Sequence, residues 1–126
     1  MDLQEQAQQF RHAYGCKNDC ANRGRQLALI REEYREFLEA HEAIRDFEDA
    51  EADCLKELAD LVYVCFQYAE NLEWDLMEAM RRVHKSNMTK MGSDGIAIRD
   101  ERGKVLKGPN YKPPYLDDLT NFICKI

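Results

Sequence analysis

One stretch near the middle of the chain constrains the fold most: from Leu58 to Phe66 every residue except Asp60 is apolar or small. A helix that is apolar on nearly all sides has to be surrounded by other elements. The segment from Asn22 to about Arg45 repeats an apolar residue every three or four positions, which predicts an amphipathic helix able to cover it. Asn22 is expected to cap the start of that helix.

Two further helical segments complete the prediction of four helices. Residues 3–14 carry apolar side chains at helical spacing and precede a polar, glycine-containing loop. The apolar stretch belongs to a third helix, from about Ala52 to Ala69, and a fourth runs from Leu72 to about Ser86. A chain of 126 residues with 44% apolar residues is long enough for one core. We therefore expect one domain, residues 1–126, with a helical bundle over residues 1–90.

The sequence changes character after Lys90. The turn residues 91–95 lead into two short apolar runs that flank Asp100–Gly103, so a small β-hairpin is predicted. The proline-containing stretch 108–114 is not helical and is expected to lie extended over the bundle. Residues 91–126 are thus assigned to a basic hairpin and an extended tail.

The net charge of −6 conceals an asymmetry. Residues 81–112 contain nine Lys or Arg and three Asp or Glu, so this segment carries +6 and the remainder −12. DNA-binding domains normally place their basic surface on the folded recognition element, which argues against nucleic acid as a partner. An acidic helical body followed by a basic segment is better suited to a metal site beside a phosphate-binding segment.

The start of the chain and its cysteines bear on location. Met1–Glu5 is polar and lacks the basic start and apolar run of a signal peptide, and no stretch approaches the length of a membrane span. We expect a cytoplasmic protein with no membrane partner. The five cysteines are odd in number, and Cys54 and Cys65 fall within helical patterns, so reduced thiols are expected.

Four carboxylates occur in pairs on the second and third helices. Glu33 with Glu36, and Glu57 with Asp60, stand three residues apart, so each pair points in one direction from its helix. Glu57 and Asp60 share their side with apolar residues and are expected to face the interior. A buried carboxylate must be neutralised by a proton, a basic partner or a cation. Four oxygen ligands together favour Mg²⁺ or Mn²⁺.

Two simpler interpretations remain open at this point. Paired glutamates on helices usually form a solvated face, and the motif of the second helix alone would favour that interpretation. A salt bridge to Arg31, Arg35 or Lys56 could also neutralise the interior carboxylates.

The two carboxylate motifs resemble a known signature. Glu32-Glu33-x-x-Glu36, followed after about 20 residues by Glu57-x-x-Asp60, is similar to the signature of the MazG-like all-α nucleoside triphosphate pyrophosphohydrolases. The residues between His84 and Lys90, and those from Gly103 to Tyr111, look like the compact bacterial and phage branch of that family. The resemblance covers about residues 23–114.

The resemblance implies a bundle of four or five helices that is active as a homodimer or homotetramer. It implies that two or more Mg²⁺ or Mn²⁺ ions are held at each site. It also implies that Glu32 is the catalytic carboxylate, which positions or deprotonates the attacking water or contacts a further metal. The metal ligands that it implies are Glu33, Glu36, Glu57 and Asp60. The substrate-binding residues that it implies, at the phosphates or the sugar, are Lys85, Asn87 and Lys90.

The activity implied by the resemblance is metal-dependent hydrolysis of a (deoxy)nucleoside triphosphate to the monophosphate and pyrophosphate, in the cytoplasm of a bacterium or a phage-infected cell. One deoxynucleotide pool, such as dGTP, could be the target. An aromatic residue such as Tyr14, Trp74 or Tyr111 could stack on the base, although packing is the commoner role. The alternative enzyme is a phosphoribosyl-ATP pyrophosphohydrolase, and the alternative of another class is a non-catalytic helical interaction module.

Overall fold

The computed structural model describes residues 1–120, and this part of the chain is all-α. It contains α1 (Leu3–Ala13), α2 (Arg23–Ile44), α3 (Ala50–Asn71) and α4 (Leu76–Asn87), with short 3-10 turns at Cys20–Asn22 and Asp117–Leu119. No β-strand forms within residues 1–120. The predicted all-α class is confirmed. No helix in this range combines the length and apolarity needed to cross a membrane.

The described chain divides into two compact units, Met1–Leu76 and Met77–Thr120. In the first unit α3 packs along α2 and also contacts α1, so the apolar helix is central to this unit, as predicted. Phe66 and Ala69 of α3 are buried. The connection between α2 and α3 is short, so the two helices form an antiparallel pair.

Two helix ends differ from the prediction. Asn22 is the N-cap residue of α2, as predicted, but its side chain does not make the capping hydrogen bond. The Asp19 side chain instead accepts a hydrogen bond from Ala21 N in the preceding turn. Leu72, expected in the fourth helix, is the C-cap of α3 and is 3% exposed. Glu73 follows with a φ of 59°, a left-handed conformation that no helix continues through, so α4 starts later.

A buried polar network fixes the loop between α1 and α2 against α3. Arg11, which is 4% exposed, donates hydrogen bonds to Asn18 Oδ1 and Lys17 O at 2.9 Å each, and to Asn71 Oδ1 at 3.1 Å. Asn71 in turn donates to Asp19 O at 2.9 Å. Buried polar groups with this many partners specify one loop geometry.

The second unit contains most of α4 and the segment that follows it. Where a hairpin is predicted, the structure forms two isolated antiparallel bridges, Met91–Ala97 and Arg99–Val105, and no ladder of strands. Of the predicted hairpin, the structure therefore shows only two single bridges. Each bridge is closed by a tight turn with a glycine of positive φ: Gly95 N donates to Gly92 O, and Gly103 N donates to Asp100 O.

The tail beyond the bridges is held by α4 and the residues just after it. Ser86 Oγ donates to Lys112 O at 2.6 Å, and Lys112 N donates to Thr89 Oγ1 at 2.9 Å. Gly108 N donates to Lys90 O at 3.0 Å. A Cβ on Gly108 would collide with the backbone carbonyls of Lys90 and Met91, so only glycine fits here.

The cysteines differ from one another. Cys20 is disulfide-bonded, so the prediction of reduced thiols is wrong for this residue. It lies in a turn, whereas the prediction rested on the cysteines of α3. Cys16, Cys54 and Cys65 are free thiols. Cys124 lies outside the described residues.

Candidate metal centre

Three carboxylates converge between α2 and α3. Glu33 and Glu36 stand one turn apart on α2, and Glu57 is contributed by α3. One carboxylate oxygen from each of the three lies within 4.8 Å of the others, and all three residues are half-buried. Oxygen atoms at this spacing can surround one hard divalent cation.

Two oxygen atoms of this carboxylate cluster have no partner. Glu33 Oε2 and Glu57 Oε2 are buried and accept no hydrogen bond. Leaving a carboxylate oxygen buried and unpaired costs free energy, which a proton or a cation would recover. The residues present therefore fit a divalent cation.

The electrostatics of Glu33 reflect the same crowding. Its pKa is raised from 4.5 to about 7, with burial as the largest cause. Repulsion by Glu36 and a hydrogen bond with it come next, and the charges of Asp60 and Glu57 add to the shift. Near neutral pH, a cation bound at this carboxylate would therefore have to displace a proton.

Asp60 lies at the edge of the cluster and not inside it. Its Oδ2 is 2.7 Å from Lys56 Nζ, which is also 3.6 Å from Glu57 Oε1. The Asp60 side chain is 35% exposed and that of Glu57 is 20% exposed. The expected interior position thus describes Glu57 better than Asp60. The reason is that Lys56, one turn earlier on α3, draws Asp60 towards the surface, and the salt bridge that the sequence left open is present.

Glu32 stands next to the cluster on α2 and is exposed to solvent. An exposed carboxylate beside the cluster is accessible to water and to a ligand. Its catalytic role stays a prediction.

The predicted substrate-binding residues all belong to the second unit. Lys85 and Asn87 are exposed on α4, and Lys90 is half-buried just after it. Lys85 lines a cavity of about 620 Å³ whose wall also contains Arg81 and Lys112, with Glu78 and Asp118 as acidic members. Cationic side chains around one cavity suit an anionic ligand. The binding roles of these three residues stay predictions.

The aromatic candidates have different surroundings. Trp74 packs edge-on against Tyr68, with ring centroids 5.9 Å apart, and Tyr111 lies under the ammonium of Lys107 at 4.9 Å. Tyr14 is 73% exposed and lines a cavity of about 680 Å³ in the first unit. Tyr14 is the most exposed of the three, and its ring packs against that of Phe10 with centroids 4.7 Å apart.

Sequence reasoning missed the polar residues in the wall of that cavity. Gln26 of α2 and Gln67 of α3 are buried there, and each has an amide atom without a partner. The available signal was the pair Gln67 and Asn71, which are polar at a spacing of one turn in a part of α3 that is apolar apart from Glu70.

Comparison with known proteins gives a family for the larger part of the chain. The family model of phosphoribosyl-ATP pyrophosphohydrolase matches residues 3–87. This range contains α1 to α4 and every carboxylate of the cluster. No curated protein matches the sequence.

Proposed function

This chain belongs to the phosphoribosyl-ATP pyrophosphohydrolase family, and we propose that it hydrolyses the bond between the α- and β-phosphates of a nucleoside triphosphate group with the aid of divalent metal. The products are the nucleoside monophosphate group and pyrophosphate. One observation carries the proposal: Glu33, Glu36 and Glu57 converge within 4.8 Å, and two of their buried oxygens lack partners.

The metal ligands in this proposal are Glu33, Glu36, Glu57 and Asp60, around two or more Mg²⁺ or Mn²⁺ ions. When bound, such ions supply a strongly nucleophilic water near neutral pH and offset charge on phosphate oxygens. Asp60 can join the set because its partner Lys56 is 67% exposed and can turn to solvent. For Asp60 to bind metal, its exposed ion pair with Lys56 has to break, which costs little free energy.

The chain's own groups have separate tasks. Glu32 accepts the proton of the water whose oxygen attacks the α-phosphorus, and the bond from that phosphorus to the bridging oxygen breaks. Lys85, Asn87 and Lys90 donate hydrogen bonds to phosphate or sugar oxygens, and the two lysines offset the negative charge of the departing pyrophosphate.

Two substrate classes share this chemistry. A (deoxy)nucleoside triphosphate, dGTP among the candidates, is favoured by the basic segment between residues 81 and 112, which resembles the nucleotide-hydrolysing branch. Phosphoribosyl-ATP is favoured by the family match over residues 3–87. Both contain an adenine- or other base-bearing triphosphate group, and in both the same bond is cleaved.

Self-association is part of the proposal. Leu55, Leu58 and Val62 lie on one face of α3 and are 67%, 42% and 40% exposed. An apolar face of this kind on a central helix is typical of a subunit interface. A homodimer or homotetramer would cover it. We also retain the single-domain organisation and the bacterial or phage-infected cytoplasm as predictions.

The experiment is a nucleotide panel with added Mg²⁺. The purified chain is incubated with the ribo- and deoxyribonucleoside triphosphates and with phosphoribosyl-ATP, and pyrophosphate and orthophosphate are measured separately. The proposal expects pyrophosphate with no orthophosphate, and only with metal. The substrate hydrolysed fastest distinguishes the two classes. Absence of pyrophosphate from every substrate would favour the non-catalytic interaction module.

A further inference from the structure

The first unit contains a cavity of about 680 Å³ walled by α1, the following loop, α2 and α3. Phe10, Tyr14 and Tyr63 provide aromatic surface, and Gln26 and Gln67 provide amides. We call it the amide cavity. All its lining residues belong to the first unit.

The two amides are buried and incompletely bonded. Gln26 is 9% exposed and its Oε1 accepts no hydrogen bond; Gln67 is 5% exposed and its Nε2 donates none. One unpaired acceptor and one unpaired donor therefore lie in the same cavity wall. Orphaned polar atoms of this kind are uncommon in folded proteins and indicate a ligand or water that belongs there.

The orientation of Gln67 is fixed by its neighbour. Arg11 Nη1 donates to Gln67 Oε1 at 3.4 Å, and a guanidinium has donors only. The oxygen of the Gln67 amide therefore faces Arg11, and its NH₂ group remains as the donor. Arg11 is itself held by Asn18, Lys17 and Asn71. The network around Arg11 thus fixes the Gln67 amide with its NH₂ donor unpaired.

The amide cavity lies on the same helix faces as the carboxylate cluster. Gln26 precedes Glu33 by seven residues on α2, and Gln67 follows Asp60 by seven on α3. Seven residues are two turns, so each amide lies on the face of its helix that carries the carboxylates, about 10 Å along the axis. An elongated ligand such as a nucleotide can therefore extend along these faces from the carboxylates to the amides.

We propose that the amide cavity binds the base of the nucleotide, with Gln67 Nε2 donating to an acceptor on the base edge and Gln26 Oε1 accepting from a base N–H. This inference rests on the proposed function for the identity of the ligand. Every nucleobase presents a donor and an acceptor side by side on its edge. The aromatic side chains explain why a base fits better than a purely polar ligand. Tyr14 packs against Phe10 with ring centroids 4.7 Å apart, but it is 73% exposed and so has ring surface left on which a flat base can stack.

The test measures binding of the base without metal and without phosphate. The full-length, ¹⁵N-labelled protein is titrated with adenosine, guanosine, cytidine and thymidine at millimolar concentration, and with ribose as a control that lacks a base. The side-chain amide resonances of Gln26 and Gln67 are followed by NMR. At least one nucleoside is expected to shift the amide resonances of both glutamines, while ribose shifts neither resonance. If the amides serve only to bind water, no nucleoside shifts them, and the proposal is wrong.

Variants then assign the effect to the donor of Gln67. Gln67→Ala is expected to weaken nucleoside binding by about fivefold or more, as for one lost buried hydrogen bond. Gln67→Glu keeps an oxygen for Arg11 but replaces the NH₂ donor by an acceptor, so it should weaken nucleoside binding by the same factor. If Gln67→Ala does not fold, Gln67→Glu serves as the test variant. Gln8→Ala, an exposed glutamine of α1 outside the cavity, should bind like the parent. Unchanged binding in Gln67→Glu would overturn the assignment.

Failure of the amide-cavity proposal can be distinguished from failure of the proposed function. Nucleoside binding without any metal-dependent pyrophosphate release would retain the amide cavity and reject the enzyme. Pyrophosphate release with amide resonances that no nucleoside moves would retain the enzyme and reject the amide cavity. If both hold, Gln67→Glu should raise KM and reduce discrimination between nucleotides more than it lowers kcat.

Discussion

Lys56 Nζ lies 2.7 Å from Asp60 Oδ2, so the fourth carboxylate of the α2–α3 pair already has a cationic partner from its own helix. The hydrogen bond with Asp60 is the largest cause of the raised pKa of Lys56, and the charge of Asp60 comes next. Because the Lys56 side chain is 67% exposed, it can leave Asp60 when another cation binds. Lys56 therefore acts as a built-in competitor of the proposed metal.

Replacing Lys56 tests this competition. Lys56→Met should tighten Mn²⁺ binding by about two- to fivefold, the range expected when an exposed ion pair no longer has to be broken. Isothermal titration calorimetry of the metal without nucleotide measures it. Lys104→Met, an exposed lysine of the second unit, serves as the matched control. Weaker binding in Lys56→Met would mean that the lysine helps to build the site.

The raised pKa of Glu33 predicts a pH dependence in the metal-free protein. Below pH 4.5 the carboxyl is protonated in both the folded and the unfolded chain. As pH rises towards about 7, the unfolded chain releases this proton while the folded chain retains it, so the free energy of unfolding falls across this window. Glu33→Gln cannot ionise and should lose less stability between pH 5 and pH 8. Urea unfolding with a chelator present, at both pH values, measures this.

Added metal should stabilise the parent protein more than Glu33→Gln. With Mg²⁺ in excess at pH 8, the parent should gain stability, because binding to the folded state adds to its free energy of unfolding. Glu33→Gln, which lacks one ligand charge, should gain less. An identical pH profile for both proteins without metal would contradict the assignment of Glu33.

The basic residues at and after α4 are expected to act on the triphosphate. Lys85→Ala and Lys90→Ala should each raise KM and lower kcat/KM by roughly tenfold or more, as for a lost charged hydrogen bond. Metal affinity without nucleotide should stay unchanged. Lys104→Ala is the control. Steady-state kinetics within twofold of the parent for both variants would direct attention to Arg81 and Lys107 instead.

The exposed apolar face of α3 predicts an oligomer. Leu55→Glu and Leu58→Glu place a charge where Leu55 and Leu58 would pack against a second copy, and each should convert a dimer or larger assembly into monomers at micromolar concentration. Light scattering coupled to size exclusion measures the mass. Ile96→Glu, at a residue of the second unit that is 65% exposed, is the control. A parent protein that is already a fully active monomer would disprove the prediction.

Much of the helical architecture could be predicted because it follows from periodic patterns. The apolar stretch Leu58–Phe66 indicated a central helix, and the spacing of Glu33 and Glu36 indicated two carboxylates on one face. Both features depend only on helix geometry. The end of α3 could not be predicted from the apolar pattern. Leu72 continues the apolar spacing of the helices, whereas the left-handed backbone of Glu73 interrupts the helix.

The features that the sequence did not predict are particular side-chain contacts, both between distant residues and within one helix. Arg11 and Gln67 are 56 positions apart, and no periodic pattern indicates that they meet. The ion pair between Lys56 and Asp60 has the ordinary spacing of a surface pair, so the sequence could not show whether it would form in preference to a buried arrangement of Asp60. Such choices depend on packing and desolvation and not on spacing.

The central claim is that the carboxylates of α2 and α3 hold the metal that drives pyrophosphate release, and Glu57→Gln tests it most directly. The variant removes one charge from the cluster and keeps the shape of the side chain, so circular dichroism should show the parent's helical content. Pyrophosphate release from the parent's best nucleotide at saturating Mg²⁺ should fall by more than about 100-fold, together with Mn²⁺ affinity. Full activity in a folded Glu57→Gln variant, or equal activity of the parent in a chelator, would contradict the account.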